Sequence, residues 1–320
     1  MRKSLWIGIL VAVICLYVAF RGISLPQLGI ALSHAHPGPI FIALAIYVIG
    51  YFLRALRWSI LLKPVQAIKA PRLLGVMMIG YFANNVLPLR MGEFVRAHLC
   101  GKKFNISRTA SLGSILLERI FDTLSFLSTF IAASFLYPFP RYMEKGAWLL
   151  GGACFLVIIA LVFIRIYQHL FQRLIERTAV PPVWKIRIKE LTSQFVHSTS
   201  GMTQPRYIIE ALLLSLIIWM IEGTFLYCVM QSFEIHLPYA GAFFLLFALG
   251  LSVTLPQGPG YVGTFELFGV TALTLLGIPK EQALPVILTI HGTQFLFVCI
   301  LGSLGLWKEG LSFQSLAATS

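Results

Sequence analysis

Runs of apolar residues long enough to cross a membrane dominate this sequence. An α-helix needs about 20 apolar residues to cross the hydrocarbon core, where every backbone polar group must be satisfied within the structure. We therefore predict an all-α polytopic membrane protein, a single domain over residues 1–320 that forms a helical bundle of about six to eight spans. Six runs carry this prediction: Leu5–Phe20, Ile40–Leu62, Leu112–Leu136, Ala147–Ile166, Tyr207–Met230 and Ala283–Trp307.

The charge content agrees with a membrane protein and excludes nucleic acid as the partner. Charged residues make up 12% of the chain, about half the 25% typical of soluble domains. The net charge of +13 would suggest nucleic acid in a soluble protein, but no basic patch interleaved with aromatic residues lies outside the apolar runs. The positive-inside bias and anionic lipid headgroups at the cytoplasmic face explain the charge more simply.

The residues that usually hold metals or cofactors form no recognisable pattern. The five cysteines are widely scattered, and the sequence has no Cys-x-x-Cys pair or Cys/His cluster. It also lacks an Asp-rich metal motif, a phosphate loop and a paired nucleophile and base. We therefore expect no cofactor, no metal ion and no enzymatic activity.

The distribution of lysine and arginine predicts the topology. The segment Leu73–Leu89 is apolar but short, and basic residues flank it on both sides. If it crossed fully, the long basic segment that follows would lie outside, against the positive-inside rule. A re-entrant segment and a cytoplasmic N-terminus instead place about 20 of the 25 basic residues inside. The basic segment at about 167–206 then lies on the cytoplasmic membrane surface.

Two apolar elements are broken by proline and glycine. Asn84–Arg96 contains Pro88 and Gly92, and Leu255–Glu266 is a second break between two short apolar flanks. Both have Leu-Pro, then glycine, then glutamate at a helix restart, and broken pairs of this kind are pointers to transporter binding sites. The predicted topology makes them enter from opposite faces. Their spacing differs and the other spans do not divide evenly, so the sequence does not establish an inverted repeat. The structural hinges would be Pro88, Gly92, Pro256, Gly258, Pro259, Gly260 and Gly263.

Ionisable residues inside the apolar runs are the other functional signal, because charges at membrane depth are costly and usually face a cavity or a partner. Glu118, Arg119 and Asp122 share one span, as either a local ion-paired cluster or the wall of a polar cavity. Glu222 has no basic neighbour on its own helix and needs a partner from elsewhere or a bound proton. His291 would be a packing residue or a proton relay, and Glu266 a helix cap or a site residue. Arg54 and Arg57 would snorkel to the headgroups.

Three ordered motifs carry a resemblance to a known family. They are Asn85-x-x-Pro88-x-Arg90-x-Gly92-Glu93-x-x-Arg96, then Glu118-Arg119-x-x-Asp122, then Pro256-x-x-Pro259-Gly260-x-x-Gly263-x-x-Glu266. Over essentially the whole chain the sequence resembles the lysylphosphatidylglycerol synthase transmembrane region, the flippase-like membrane half of the multiple peptide resistance factor. The resemblance implies a prokaryotic cytoplasmic membrane protein that moves a lipid between leaflets. The chain ends at Ser320 without an aminoacyl-transferase domain, so we expect it not to synthesise the lipid alone.

Three functions are compatible with these observations. The first is a lipid translocase that moves a polar or anionic lipid through a charged groove. The second is a membrane enzyme acting on a lipid-linked sugar or phosphate, and the third is a non-transporting partner of a separate lipid synthase. Besides a membrane lipid, the expected protein partners are such a synthase or further copies of this chain. For the translocase, the expected substrate-binding residues are Asn85, Arg90, Glu93, Arg96, Glu118, Arg119, Asp122, Glu222, Glu266 and His291. Arginine suits bidentate phosphate contacts, and the carboxylates would balance these cations.

Overall fold

A computed structural model describes residues 2–87, 91–136, 167–178, 181–201, 204–254 and 259–311, together with residues 145, 149, 152 and 156. The described part is helical and contains no strand, so the all-α prediction is confirmed. The first six helices are α1 (Arg2–Phe20), α2 (Leu25–Ser33), α3 (Pro37–Leu62), α4 (Ala70–Val86), α5 (Gly92–Phe104) and α6 (Arg108–Leu136). The remaining ones are α7 (Gln168–Glu176), α8 (Pro182–Thr199), α9 (Pro205–Ser232), α10 (Tyr239–Thr254), a short 3-10 helix (Pro259–Tyr261), α11 (Thr264–Leu275) and α12 (Lys280–Lys308).

Three of the described helices, α3, α9 and α12, are long and apolar enough to cross a membrane alone. A fourth span results if the bent pair Leu10–Phe20 and Leu25–Ser33, whose axes differ by 79°, is counted as one. Helix α6 has 29 residues but carries three charged side chains near its middle. The predicted span Ala147–Ile166 lies outside the continuously described residues.

The helices fall into two halves that repeat the same order of lengths. Helices α3 to α6 have 26, 17, 13 and 29 residues, and α9 to α12 have 28, 16, 12 and 29. The first set starts at residues 37, 70, 92 and 108, and the second at 205, 239, 264 and 280. The spacing between corresponding starts is nearly constant, so the fold contains an internal repeat of four helices.

The sequence concealed this repeat because α5 does not resemble a membrane helix. Helix α5 carries His98, Lys102 and Lys103, whereas its counterpart α11 is apolar apart from threonines and one glutamate. The polar stretch after Asn84 therefore gives no hydropathy signal for a helix that packs against α4. Glu93 in the first turn of α5 and the two lysines in the last turn complement the helix dipole, which favours this helix despite its polarity.

In each half the two short helices fold back on one another as an antiparallel hairpin. A Cβ at Gly92 of α5 would lie 1.9 Å from the Gly80 carbonyl oxygen of α4, so glycine is required for this close approach. In the second half α10 and α11 pack together in the same way, and Gly241 lies near Leu276 just beyond α11. We call the described residues at the turns of these hairpins the first tip (residues 84–87, 91 and 92) and the second tip (residue 254 and residues 259–264).

The halves pack crosswise around a shared core. Helix α3 lies along α9, α4 packs against α12, and α6 packs against α10. Glycine makes these crossings close, since a Cβ at Gly302 of α12 would lie 2.3 Å from Phe82 Cβ, and one at Gly250 of α10 would lie 2.4 Å from the Phe126 ring. The 3-10 helix of the second tip contacts α4, the helix that leads into the first tip.

Candidate functional site

A cavity of about 250 Å³ lies where the two tips meet. Asn84 and Asn85 of the first tip and Tyr261 of the second border it, and a Cβ on Gly260 would lie 3.7 Å from the Asn85 carbonyl oxygen. The long helices α3, α6, α9 and α12 supply most of the remaining wall, and α4, α10 and α11 add one residue each. The complete lining comprises Tyr47, Tyr51, Arg54, Tyr81, Asn84, Asn85, Arg119, Asp122, Trp219, Glu222, Val253, Tyr261, Phe265, His291, Gln294, Phe295 and Val298.

The polar part of this wall is built from corresponding positions of the two halves. Arg54 lies 17 residues after the start of α3 at residue 37, and Glu222 lies 17 after the start of α9 at residue 205. Likewise Arg119 and His291 both lie 11 residues into their helices, which start at residues 108 and 280. Asp122 of α6 corresponds to Gln294 of α12 in the same way. The cavity therefore lies between equivalent surfaces of the repeat.

Asp122 is the centre of the charged wall. One carboxylate oxygen accepts from Arg57 Nη1 at 2.5 Å and from Trp219 Nε1 at 3.3 Å. The other accepts from Arg57 Nη2 at 3.2 Å and pairs with Arg119 Nη2 at 3.1 Å. Arg57 is fully buried and also donates to Ser215 Oγ at 2.6 Å. A buried carboxylate must be paired, and Asp122 is paired with two arginines.

A second ion pair crosses the cavity from one half to the other. Arg54 Nη2 donates to Glu222 Oε2 at 2.9 Å, and Gln294 Nε2 donates to Glu222 Oε1 at 3.0 Å. Glu222 therefore obtains its partner from α3, one of the two possibilities that the sequence left open. Among the described residues, the buried Nη1 of Arg54 and Nε of Arg119 have no hydrogen-bond acceptor. Both side chains line the cavity, and these two nitrogen atoms are themselves buried beside it.

Arg96 and Glu118 lie behind this wall and do not line the cavity. Their side chains form an ion pair at 2.6 Å, and the Arg96 guanidinium lies 3.6 Å from the centre of the Trp58 ring. Glu118 also lies 3.6 Å from Arg57. The interpretation of Arg54 and Arg57 as snorkelling residues is wrong, because both point into the bundle, where carboxylates from other helices bind them.

Glu266 and His291 form a separate buried pair at the second tip. Glu266 Oε1 lies 2.5 Å from His291 Nδ1, and Glu266 Oε2 accepts the Gly263 N–H at 2.6 Å. His291 Nε2 lies 2.8 Å from the Gly260 carbonyl oxygen. Glu266 is therefore both the cap of α11 and a partner of α12, while His291 faces the cavity. The imidazole also stacks on Phe265, with ring centres 4.5 Å apart.

The backbone of the second tip is constrained as well. Gly260 and Gly263 have φ values of 69° and 91°, and Tyr261 between them has a φ of 62°. A positive φ is unusual for an aromatic residue and is retained where surrounding structure enforces it. A Cβ at Gly263 would also lie 2.4 Å from the Ala12 carbonyl oxygen of α1. These constraints fix Tyr261 against the cavity.

The other predicted site and hinge residues have different outcomes. Gly92 closes the first hairpin, where its N–H donates to Asn84 Oδ1 at 2.7 Å. Glu93 is half-buried in the first turn of α5 and does not line the cavity. Pro259 is exposed at the start of the 3-10 helix. Four predicted residues lie outside the described residues: Pro88, Arg90, Pro256 and Gly258.

Sequence reasoning missed the aromatic part of the site. Tyr47 and Tyr51 on α3 share a hydrogen bond at 3.1 Å, and Trp219 donates to Asp122 from α9. In an apolar helix such side chains have no distinguishing sequence signal. Tyr51 lies three residues before Arg54, and Trp219 lies three residues before Glu222. This correspondence is visible only once the repeat is known. Within the described ranges, no group of three or more His, Cys, Asp or Glu residues could hold a metal ion.

Comparison with known proteins identifies the relatives of the chain. A UPF0104 membrane protein of Methanothermobacter thermautotrophicus is 26% identical over 279 residues, covering 83% of this chain and 81% of that protein. Another UPF0104 membrane protein, from Methanocaldococcus jannaschii, is 24% identical over 229 residues, covering 70% of this chain and 92% of that protein. The Haloferax volcanii glycosyltransferase AglD is 30% identical over 125 residues, 39% of this chain and only 20% of AglD.

The family model described as the lysylphosphatidylglycerol synthase TM region matches residues 5–302. This match covers the first half of the repeat, the second half up to residue 302, and every residue of the cavity wall. The relatives that share most of their length with the chain are membrane proteins as well. The protein is therefore a multi-pass membrane protein that belongs to the lysylphosphatidylglycerol synthase transmembrane-region family.

Proposed function

We propose that this protein is a lipid translocase that carries a polar or anionic headgroup through the cavity between its two hairpin tips. The observation that carries the proposal is the placement of the charged wall at corresponding positions of two repeated halves. Transporters built from inverted repeats bind substrate at the repeat interface, between broken helices. The same arrangement of broken elements and repeat interface occurs here.

The topology favoured by the charge distribution makes the repeat an inverted one. With a cytoplasmic N-terminus in a prokaryotic cytoplasmic membrane, α3 would run inward and α9 outward. The hairpin of the first half would then enter from the cytoplasm and that of the second half from outside. Their tips meet at the cavity, so a headgroup there would be near the midplane, and small movements of either tip would expose it to one side.

The chemistry of the wall suits a lipid headgroup. Arg54 and Arg119 line the cavity, and guanidinium groups suit phosphate or another acceptor. Tyr51, Tyr261 and Trp219 provide amphipathic surface that contacts both polar and apolar atoms. Movement of a headgroup requires no covalent step, and we propose that the protein acts without enzymatic chemistry. The acyl chains would remain in the bilayer while the headgroup passes.

The test measures transbilayer movement of a fluorescent phosphatidylglycerol in vesicles that contain the purified protein. The informative variant is Arg119→Gln, because Arg57 still pairs with Asp122 and supports the fold. Loss of a charged hydrogen bond to the headgroup costs about 1.5–3 kcal/mol, which predicts at least a tenfold slower rate. The matched control is Arg206→Gln on the exposed end of α9. A wild-type rate in both variants contradicts the proposal.

A further inference from the structure

We propose that Glu266 and His291 bind one exchangeable proton between them, and that this proton holds the second tip in its observed position. The carboxylate is on α11, the imidazole is on α12, and both side chains are nearly inaccessible, with 4% and 10% of their surface exposed. Among the described contacts, the two side chains bond to each other and to the second tip rather than to the charged residues around Asp122, although His291 lines the same cavity.

The hydrogen-bond partners determine how many protons the pair holds. The Gly260 carbonyl oxygen can only accept, so His291 Nε2 carries a hydrogen and donates to it. Nδ1 and Glu266 Oε1 lie 2.5 Å apart, where two bare lone pairs would repel each other. A second hydrogen must therefore lie between them. Whether it is assigned to the imidazole or to the carboxyl group, the pair has zero net charge.

Loss of this second proton would leave an uncompensated buried carboxylate. The charged and titratable groups on the surrounding elements do not replace it. Arg54 of α3 is paired with Glu222 of α9, and Arg119 and Asp122 of α6 are paired with each other. Tyr81 of α4 and Tyr261 of the 3-10 helix line the cavity and add no positive charge at neutral pH. Deprotonation would therefore weaken the contact between Glu266 and α12.

The pair is connected directly to the second tip. Gly260 is bonded through its carbonyl oxygen to His291, and Gly263 is bonded through its N–H to Glu266. The same tip holds Tyr261 against the cavity and Gly260 beside Asn85 of the first tip. Removal of the proton would thus free the turn that closes one side of the cavity. If the proposed translocase function holds, proton release and headgroup release are linked through this turn.

Glu266→Gln is the variant that isolates the proton. The glutamine carbonyl can accept the Gly263 N–H, and its amide can donate to Nδ1 of a neutral His291. The variant therefore reproduces the hydrogen bonds of the protonated pair with a neutral imidazole, so these bonds do not require a shared proton as the pH rises. The matched control is Glu281→Gln, an exposed change in the first turn of α12.

The experiment measures hydrogen exchange of peptides covering residues 259–266 in full-length protein, reconstituted in nanodiscs of phosphatidylglycerol and phosphatidylcholine, from pH 6 to pH 9. After correction for the intrinsic rate, we expect protection in the wild type and in Glu281→Gln to fall by about tenfold or more across this range, as expected for loss of a charged hydrogen bond. Protection in Glu266→Gln should remain constant. Equal pH dependence in wild type and Glu266→Gln would overturn the proton site.

The two proposals fail in different ways. Transport of fluorescent phosphatidylglycerol should depend on pH in the wild type and lose that dependence in Glu266→Gln. If the wild type shows no transport while the exchange difference persists, the translocase is wrong and the proton site stands. If transport occurs with the same pH profile in wild type and Glu266→Gln, and exchange is equal, the translocase stands and the proton site is wrong.

Discussion

The two halves of this protein build the same wall with different chemistry. At corresponding positions the first half has Arg119 and Asp122, and the second half has His291 and Gln294. The first pair is an ion pair reinforced by the buried Arg57, whereas His291 and Gln294 hydrogen-bond to separate glutamates, Glu266 and Glu222. The first half thus contributes fixed charges to the cavity wall, and the second half contributes a pair that can exchange a proton.

This difference separates fixed charge from pH response. The two arginines that hold Asp122 remain charged at all physiological pH values, so the first half provides a constant electrostatic environment. Imidazole is the side chain whose ordinary titration range lies nearest neutrality. If this account is right, changes in the first half should mainly affect stability and headgroup affinity, and changes at the pair of the second half should mainly affect pH response.

The largest expected loss of unfolding free energy follows from substitution of Asp122. Asp122→Asn removes the charge that compensates the fully buried Arg57, and breaking a buried pair by removing one partner costs about 3–5 kcal/mol. Chemical unfolding in detergent micelles measures this loss. The double variant Arg57→Met with Asp122→Leu replaces the pair by apolar groups and should recover most of the stability. A double variant as unstable as Asp122→Asn would contradict the pairing.

The next largest loss of stability is expected at Gly263 in the second tip. Gly263→Ala places a methyl group 2.4 Å from the Ala12 carbonyl oxygen in a backbone with φ of 91°. Overpacking costs about 1–3 kcal/mol and the left-handed backbone about 1–2 kcal/mol more. The unfolding free energy should fall by their sum. Gly277→Ala is the control, because it has φ of 86° but nothing within 4 Å of the added carbon. Equal losses in the two variants would show that α1 does not press against the tip.

A smaller effect tests the contact between the halves. Arg54→Gln and Glu222→Gln each remove one partner of the pair that joins α3 to α9. Residues in direct contact show interaction energies of about 0.5–3 kcal/mol in a double-mutant cycle. We expect a coupling in the upper part of that range because the pair is largely buried. If the losses of unfolding free energy in the two single variants are additive in the double variant, Arg54 and Glu222 do not couple α3 to α9.

The smallest effect is at the exposed pair His36 and Glu234, 3.0 Å apart. The hydrogen bond from His36 lowers the pKa of Glu234, so its contribution is present above the ordinary carboxyl pKa and lost as the pH falls through the lowered value. Both groups are exposed and screened by solvent. Glu234→Gln should leave the thermal midpoint at pH 7 unchanged within error. A clear decrease would mean that loop contacts also join the halves.

The sequence predicted those parts of the site that depend on local chemistry. Proline and glycine identified the break at Leu255–Glu266, and three charges in one apolar run identified α6. The partners of these charges come from distant helices, so hydropathy assigned Arg57 to the membrane surface although it is buried against Asp122. The repeat is not evident from hydropathy because α5 is polar, with two lysines in its last turn, whereas its counterpart α11 is apolar.

The most direct test of the central claim is native mass spectrometry of lipid retained by the purified protein. We expect the wild type and Arg206→Gln to retain the same lipid, and Arg119→Gln to retain at least tenfold less after equal delipidation, because one charged hydrogen bond at the cavity is lost. All three proteins should unfold at similar temperatures. Equal lipid retention by Arg119→Gln and the wild type would contradict headgroup binding in the cavity between the two tips.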